Sequence, residues 1–245
     1  MVVIAVRHKV ISAMDFPKDC KECPVWKKSL FKDFDQELID WITEKKETVV
    51  LKKKGALFQQ GQDVEGIFCH LSGLAKVVQK DDEGKVRFSR LVLPGDTSGH
   101  RSLFIETRYK GMADVISDIL KACYIPKEDI LHLFSSNPSF AKNLIVKISS
   151  ELVRSEEEQI LAKEKTLRGR LAQLLCELSE AHAEPVNGNQ YLIQSEITKV
   201  DIANFLSVAN ETIIRLMSDM KSEGLIGYQG KKILINDLDK LKLLS

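Results

Sequence analysis

The stretch TKVDIANFLSVANETIIRLMSDMKSEG, residues 198 to 224, reads as a short helix, a three-residue turn at Ser207-Val208-Ala209 and a longer helix stopped by Gly224. That is the layout of a helix-turn-helix. In the second helix Ile213, Leu216, Met217 and Met220 share one face, expected to bury against Ile202 and Leu206 of the first. The opposite face carries Glu211, Ile214, Arg215 and Ser218 in one stripe, in the half of the helix where a recognition helix meets base edges. Arg can donate to O6 and N7 of guanine together, Glu can accept from N4 of cytosine, and Ile214 suits a thymine methyl. An Arg four residues after a Glu is otherwise an ordinary surface pair, and its place in the second helix is what points to base reading.

Working outward, LIGYQGKKILIN, residues 225 to 236, reads as two strands joined at Gln229-Gly230-Lys231-Lys232. This is a wing, with Lys231 and Lys232 placed to meet phosphate. From residue 166 onward there are nine Lys or Arg against ten Asp or Glu. Without a net positive field, non-specific DNA binding is expected to be weak unless Arg168, Arg170, Lys199 and Lys221 gather on one face. The polar segment AEPVNGNQ, residues 183 to 190, is expected to be a loop.

Before this module, Pro138 to about Lys165 carries Ile145, Ile148, Leu152, Ser155, Gln159 and Ala162 at spacings of three and four. Such a seam predicts a long helix that pairs two copies of the chain, with packing on its own preceding domain as the alternative. Earlier still, Leu51 to Val92 reads as short β segments, "ALFQQG", "GIFCHLSG", "LAKVVQK" and "KVRFSRLVL", separated by turn signals at Gly61, Gly66, Gly73 and residues 81 to 84. A second β group runs from Ala113 to Ile125. The spacing predicts a small all-β barrel or sandwich.

The 245 residues suffice for two domains, and the 44% hydrophobic content is ordinary for a soluble protein. No apolar run reaches the length of a membrane span, and Met1 to Val10 lacks the features of a secretory signal, so a cytoplasmic location is expected. Five scattered Cys in a reducing compartment do not read as a disulfide framework. Cys20 and Cys23 form a C-x-x-C in DCKECPVWKKSLF, residues 19 to 31. Cys69 alternates with Ile67 and Leu71 on a strand, and Cys176 sits in a Leu-rich helix; both read as packing residues. No Ser-His-Asp set, P-loop or zinc tetrad stands at recognisable spacing, which leaves catalysis without support.

A Gly-punctuated β barrel, a long dimerising helix and a winged helix, in that order, resemble the CRP/FNR superfamily of bacterial transcription regulators over nearly the whole chain. The resemblance implies an α+β chain: a Cys-bearing leader (1–30), a sensory β barrel of cyclic-nucleotide-binding type, that is a double-stranded β-helix or jelly roll (31–137), a dimerisation helix (138–165) and a winged-helix DNA-binding domain (166–245). It also implies a homodimer on a palindromic double-stranded site and contact with RNA polymerase. NETIIR, residues 210 to 215, resembles the family's recognition pattern: Glu211 and Arg215 match, while Asn210 and Ile214 depart from both main branches. A related but not identical half-site is therefore expected.

Two signals compete within that resemblance. In the cyclic-nucleotide branch a Gly-Glu pair holds ribose and a later Arg-Ser or Arg-Ala pair holds phosphate. Here Asp96 replaces the Glu and Lys110-Gly111 stand near the Arg pair, so cyclic AMP binding in that style is not expected. Another anionic ligand, held by Gly95, Asp96, Gly99, Arg101 and Ser155, stays open. The leader resembles the oxygen-sensing branch, where three Cys near the N-terminus and one in the barrel hold a [4Fe-4S] cluster. Cys20 and Cys23 match the first two and Cys123 the distant one, but Ser29 stands at the third position. A hydroxyl is a poor substitute for a soft thiolate on iron. Three alternatives therefore stand beside a redox-sensing regulator: unliganded thiols, a ligand sensor with little DNA binding, and a thioredoxin-type thiol enzyme. The last lacks the βαβ setting that activates such a thiolate.

Overall fold

The computed structural model describes residues 16–84, 86–105, 108–195 and 197–245. The expectation placed on Met1 to Val10 lies outside them. Two 3₁₀ turns, Cys20–Glu22 and Trp26–Lys28, lead into α1 (Gln36–Lys45), whose start is capped by Asp35 accepting from the Leu38 N–H at 3.0 Å. Ile39 and Ile42 are its buried stripe.

The β region comprises β1 (Glu47–Lys52), β2 (Gly66–Ser72), β3 (Ala75–Lys80), β4 (Val86–Val92), β5 (Thr97–Ser98), β6 (Met112–Val115) and β7 (Ile119–Pro126), with the short helix α2 (His100–Ile105) between β5 and β6. They form two antiparallel sheets, ordered β1-β7-β2-β5 and β4-β3-β6. Leu51, Leu120 and Ala122 of the first sheet pack with Ala75, Val92 and Val115 of the second. The sheets face each other as a jelly roll and do not close into a barrel. Gly73, at φ 84, makes the corner from β2 to β3, where a Cβ would collide with the Ile119 carbonyl.

The expected second β group is present as two strands, broken where Ser117 turns its hydroxyl onto the Ile119 carbonyl at 2.8 Å. Two local expectations are corrected. "ALFQQG" is no strand; only Ala56 bridges to Asp114. The supposed loop at 183 to 190 is mostly a hairpin, β8 (Ala183–Asn187) and β9 (Gln190–Ile193), turned at Gly188, φ 53.

After the jelly roll come α3 (Lys127–Ser136) and the 27-residue α4 (Pro138–Glu164). On α4, Ile145 and Leu152 are each 60% exposed and Ile148 is 39% exposed, while Phe140 and Leu144 are buried against the leader and jelly roll. The outer stripe of the expected seam is therefore bare in a single chain; the side chain of Ala162 lies outside those described. The C-terminal domain comprises α5 (Leu167–His182), β8, β9, α6 (Lys199–Leu206), α7 (Asn210–Ser222), β10 (Ile226–Gln229), β11 (Lys232–Ile235) and α8 (Leu238–Leu244), with the sheet ordered β10-β11-β9-β8. Phe88 of β4 meets Phe205 of α6 edge to face, ring centroids 5.2 Å apart. Among the described residues no helix is long and apolar enough to cross a membrane.

Candidate nucleic-acid interface and thiol-lined cavity

Helix α6 begins in a capping box: Thr198 Oγ1 accepts the Asp201 N–H at 3.1 Å, and Asp201 Oδ2 accepts the Thr198 N–H at 3.3 Å. It ends at Ser207, a non-glycine residue in the left-handed region at φ 56, held by Val208 N–H donating to the Ala203 carbonyl at 3.0 Å. The turn aims α7 across α6, and Ile213, Met217 and Met220 bury on Ile202, Ala203 and Leu206.

Glu211, Ile214, Arg215 and Ser218 are exposed on the outer face of α7, Ile214 at 41%. Among the described residues no ion pair joins Glu211 and Arg215, and both side chains are exposed. Asn210 is half-buried, and its Oδ1 has no hydrogen-bond partner. In the wing, Gly230 (φ 61) and Lys231 make a two-residue turn between β10 and β11. Lys231 is exposed, whereas Lys232 donates inward to Gln194 Oε1 at 2.7 Å.

The four cations expected to cluster divide two and two. Lys199 and Lys221 both approach the Tyr228 ring, each Nζ 5.7 Å from its centroid. Arg168 forks onto the Glu223 carboxylate, and Arg170 Nη2 donates to the Leu206 carbonyl at 3.0 Å. Both arginines therefore fasten α5 to the helix-turn-helix, and of these four cations only Lys199 and Lys221 gather together. Tyr228, which gathers them, was not singled out in the sequence; its place on the wing strand opposite an apolar neighbour was the available signal.

Asp96, Arg101 and Ser155 meet around a cavity of about 300 Å³ with Arg90, Lys147 and Glu151. Its two carboxylates are each engaged by a lining cation, while Arg90 Nη2 donates to the Thr97 carbonyl at 3.0 Å. Lys147 Nζ lies 3.1 Å from Asp96 Oδ1, and Glu151 Oε2 accepts from Arg101 Nε at 2.8 Å and His100 Nε2 at 3.0 Å. Burial works against the Glu151 charge, yet His100 and Arg101 outweigh it and hold the carboxyl down at about 2. Gly99 (φ 88) lines an adjoining cavity of about 230 Å³ with Arg101, Lys110 and Gly111, while Gly95 (φ 93) backs onto the Lys28 side chain. The five expected anion-binding residues thus do not form one cradle, and two ionised carboxylates face the larger space.

The described part of the leader, residues 16 to 30, is tied down at both ends. Cys20 N–H donates to Thr43 Oγ1 at 3.3 Å and Lys46 Nζ to the Pro17 carbonyl at 3.3 Å, while Asn143 Nδ2 of α4 donates to the Leu30 carbonyl at 3.0 Å. Phe31 stacks on Phe140 of α4 with centroids 5.6 Å apart, and Trp26 stacks behind it at 6.5 Å. Between leader and sheet lies a cavity of about 40 Å³, lined by Cys20, Cys23, Cys123, Ser29 and, unexpectedly, Cys69. Cys69 packs against the core of the sensory domain, as its strand alternation led one to expect, and it also lines this cavity, in register with Cys123 across the β2–β7 pair. Cys176 does pack, 7% exposed in the core of the C-terminal domain.

The thiols are free, and burial pushes Cys123 up to about 11 and raises Cys23 and Cys69 as well. Thiols raised in this way are poor nucleophiles, and Cys20 and Cys23 stand at a 3₁₀ turn beside an antiparallel sheet and not in a βαβ unit, which counts against the thioredoxin-type reading. Among the described residues no three His, Cys, Asp or Glu side chains are arranged to hold a single ion. Cys20, Cys23, Cys69 and Cys123 line one common space. As a donor set, several thiolates around an apolar space fit an iron-sulfur cluster by chemistry.

A jelly roll joined through a long, outwardly apolar helix to a winged helix is the architecture of a signal-gated DNA-binding transcription regulator. The family described as cyclic nucleotide-binding domain matches residues 48–137, and that described as Crp-like helix-turn-helix domain matches residues 169–244. The chain is 29% identical over 227 residues to the regulatory protein HlyX of Actinobacillus pleuropneumoniae, covering 91% of this chain and 92% of HlyX. It is 27% identical to the transcriptional activator protein anr of Pseudomonas aeruginosa, covering 93% and 91%. Its fold matches FixK2 from Bradyrhizobium japonicum (TM-score 0.69, 18% identity, 82% and 97% covered) and a CRP/FNR family regulator from Thermus thermophilus (TM-score 0.66, 25% identity, 81% and 97% covered). The chain belongs to the CRP/FNR superfamily of bacterial transcription regulators. It is a DNA-binding transcription regulator and not an enzyme.

Proposed function

We propose that this chain is a dimeric regulator that reads a palindromic DNA site and responds to oxygen or redox state through the thiol-lined cavity beneath its leader. The observation that carries the reading is the shared placement of Cys20, Cys23 and Cys123 around one small apolar space. A [4Fe-4S] cluster held there supplies an oxygen-labile centre. The chain's own residues supply the coupling. The leader that carries Cys20 and Cys23 also carries Phe31 and Leu30, which grip Phe140 and Asn143 at the root of α4. A shift of the leader is therefore felt where the exposed stripe of Ile145, Ile148 and Leu152 begins, and two arrangements of the leader favour two arrangements of the dimer.

On DNA, Glu211 and Arg215 read base edges with Ile214, Ser218 and Asn210 beside them, and Lys199 and Lys231 approach phosphate. Lys232 supports the wing through Gln194. A two-fold dimer presents two recognition helices to a palindrome, and contact with RNA polymerase follows the family. Lys147 and Arg101 are engaged by Asp96 and Glu151, and these carboxylates facing the space count against an anionic ligand as the signal. Anaerobic purification with an absorbance spectrum and iron and sulfide assays tests the reading: brown, iron-bearing protein that bleaches in air supports it, and colourless, iron-free protein refutes it.

A further inference from the structure

We infer that Cys69 is the fourth thiolate of the iron-sulfur site, so that the leader gives two ligands, Cys20 and Cys23, and facing strands of the jelly roll give the other two, Cys69 and Cys123. The inference rests on the iron-sulfur reading above and departs from the arrangement that the family resemblance implies, in which three ligands come from the leader.

Three observations separate Cys69 from Ser29, which stands where that arrangement has its third leader cysteine. First, Cys69 and Cys123 are direct partners in the antiparallel β2–β7 register, so both side chains leave the same face of the sheet side by side. The sheet fixes two ligands before any iron arrives. Second, Ser29 Oγ is engaged: it accepts the Phe31 N–H at 3.2 Å, in the turn that seats Phe31 on Phe140. Turning this hydroxyl to iron would cost that bond, disturb the ring stack and still provide a hard donor. Third, Cys69 has a polar neighbour on the same face of the sheet: Thr97 of β5 is its register partner on the other side, which sets the Thr97 side chain next to the thiol.

The rest of the cavity suits the assignment. Val25, Trp26, Ile42, Leu71 and Ile125 keep water out, and Lys46 is the cation among the lining residues, placed to offset thiolate charge. Ligation is a proton exchange: each thiol loses its proton to solvent as its sulfur bonds iron, with no electron transferred. A cavity of about 40 Å³ has room for roughly one water. The strand cysteines are fixed in the sheet, so the 3₁₀ turns bearing Cys20 and Cys23 are the part that must lift to admit a larger group.

The test is anaerobic reconstitution of the full chain with sulfide and equal amounts of ferrous and ferric iron, which supply the cluster's mixed valence, reading iron, sulfide and the visible spectrum. Wild type and Ser29→Ala should load equally, whereas Cys69→Ser should hold at least about tenfold less iron, as should Cys123→Ser. Melting of the iron-free proteins by circular dichroism should show Cys69→Ser folded. Thr97→Val leaves every thiol in place and removes the hydroxyl at Cys69; its loaded form should bleach in air several-fold faster than wild type. Wild-type iron in Cys69→Ser, lost iron in Ser29→Ala or an unchanged bleaching rate in Thr97→Val each overturns the assignment. Wild type that takes up no iron overturns the iron-sulfur reading itself, and the ligand assignment with it.

Discussion

Lys76 of the jelly roll and Asp201 of the helix-turn-helix are joined across the domain boundary, Nζ to Oδ1 at 2.5 Å, with both side chains largely shielded from solvent. Asp201 is the same carboxylate that closes the capping box of α6. Burial resists its charge, but the Lys76 and Thr198 hydrogen bonds prevail and hold the carboxyl below its ordinary range. One side chain thus starts a helix and anchors it to the sensory domain.

Lys76→Met should therefore loosen the domain contact without unwinding α6, costing about 1 to 2 kcal/mol in chemical denaturation. Asp201→Ala loses the cap as well and should cost about 1 kcal/mol more. Equal losses in the two variants would show that the cap and the domain contact are not shared.

Arg215→Ala should weaken binding to a selected site by about 1 to 3 kcal/mol and leave binding to random DNA and the dimer nearly unchanged. Gel shift on both DNAs at one fixed salt concentration checks this, and equal loss on both would remove the base-reading role.

Ile148→Glu or Leu152→Glu places a charge on the exposed stripe of α4 and, in a two-fold dimer, against its own copy. Dimer affinity should fall at least about a hundredfold, or about 3 kcal/mol. Because both positions are exposed in the single chain, the circular dichroism spectrum should not change. Sedimentation provides the measurement, and a wild type that is monomeric at micromolar concentration would end the dimer assignment.

Glu151 predicts an acid response. Its folded carboxyl sits at about 2 against an ordinary 4.5, because His100, Arg101 and Arg90 outweigh burial. A depressed carboxylate stabilises the fold fully above its unfolded value, and that contribution drains away as pH falls from about 4.5 towards 2. Glu151→Gln should lower stability at neutral pH by about 2 kcal/mol, allowing for screening, and make the acid limb of the stability profile shallower. Asp96, also held low beside Lys147, should keep that limb from becoming flat.

The recognition module was legible because its signals are local. The apolar spacing of Ile202, Leu206, Ile213 and Met217, the Thr198 cap and the Gly224 stop all lie within one stretch. The hairpin of β8 and β9 was missed although Gly188-Asn189 is a two-residue hairpin signal, because Pro185 and the polar run around it weighed towards a loop. The thiol site was half legible. Spacing marked Cys20, Cys23 and Cys123, but Cys69 shows only strand alternation until the β2–β7 register brings it opposite Cys123. Register between distant strands is set by the packed faces of a whole sheet, and no local period encodes it.

The hydrogen bond from Asn143 to the Leu30 carbonyl spans 113 residues of chain. During synthesis the leader emerges first, yet its seat on Phe140 and Asn143 exists only after the jelly roll and the first turns of α4 have left the ribosome. Cys20 and Cys23 therefore stay uncovered until about residue 143 has left the ribosome, and residues 26 to 31 can dock while the C-terminal domain is still being made. The window in which these thiols are open closes before the recognition helix exists.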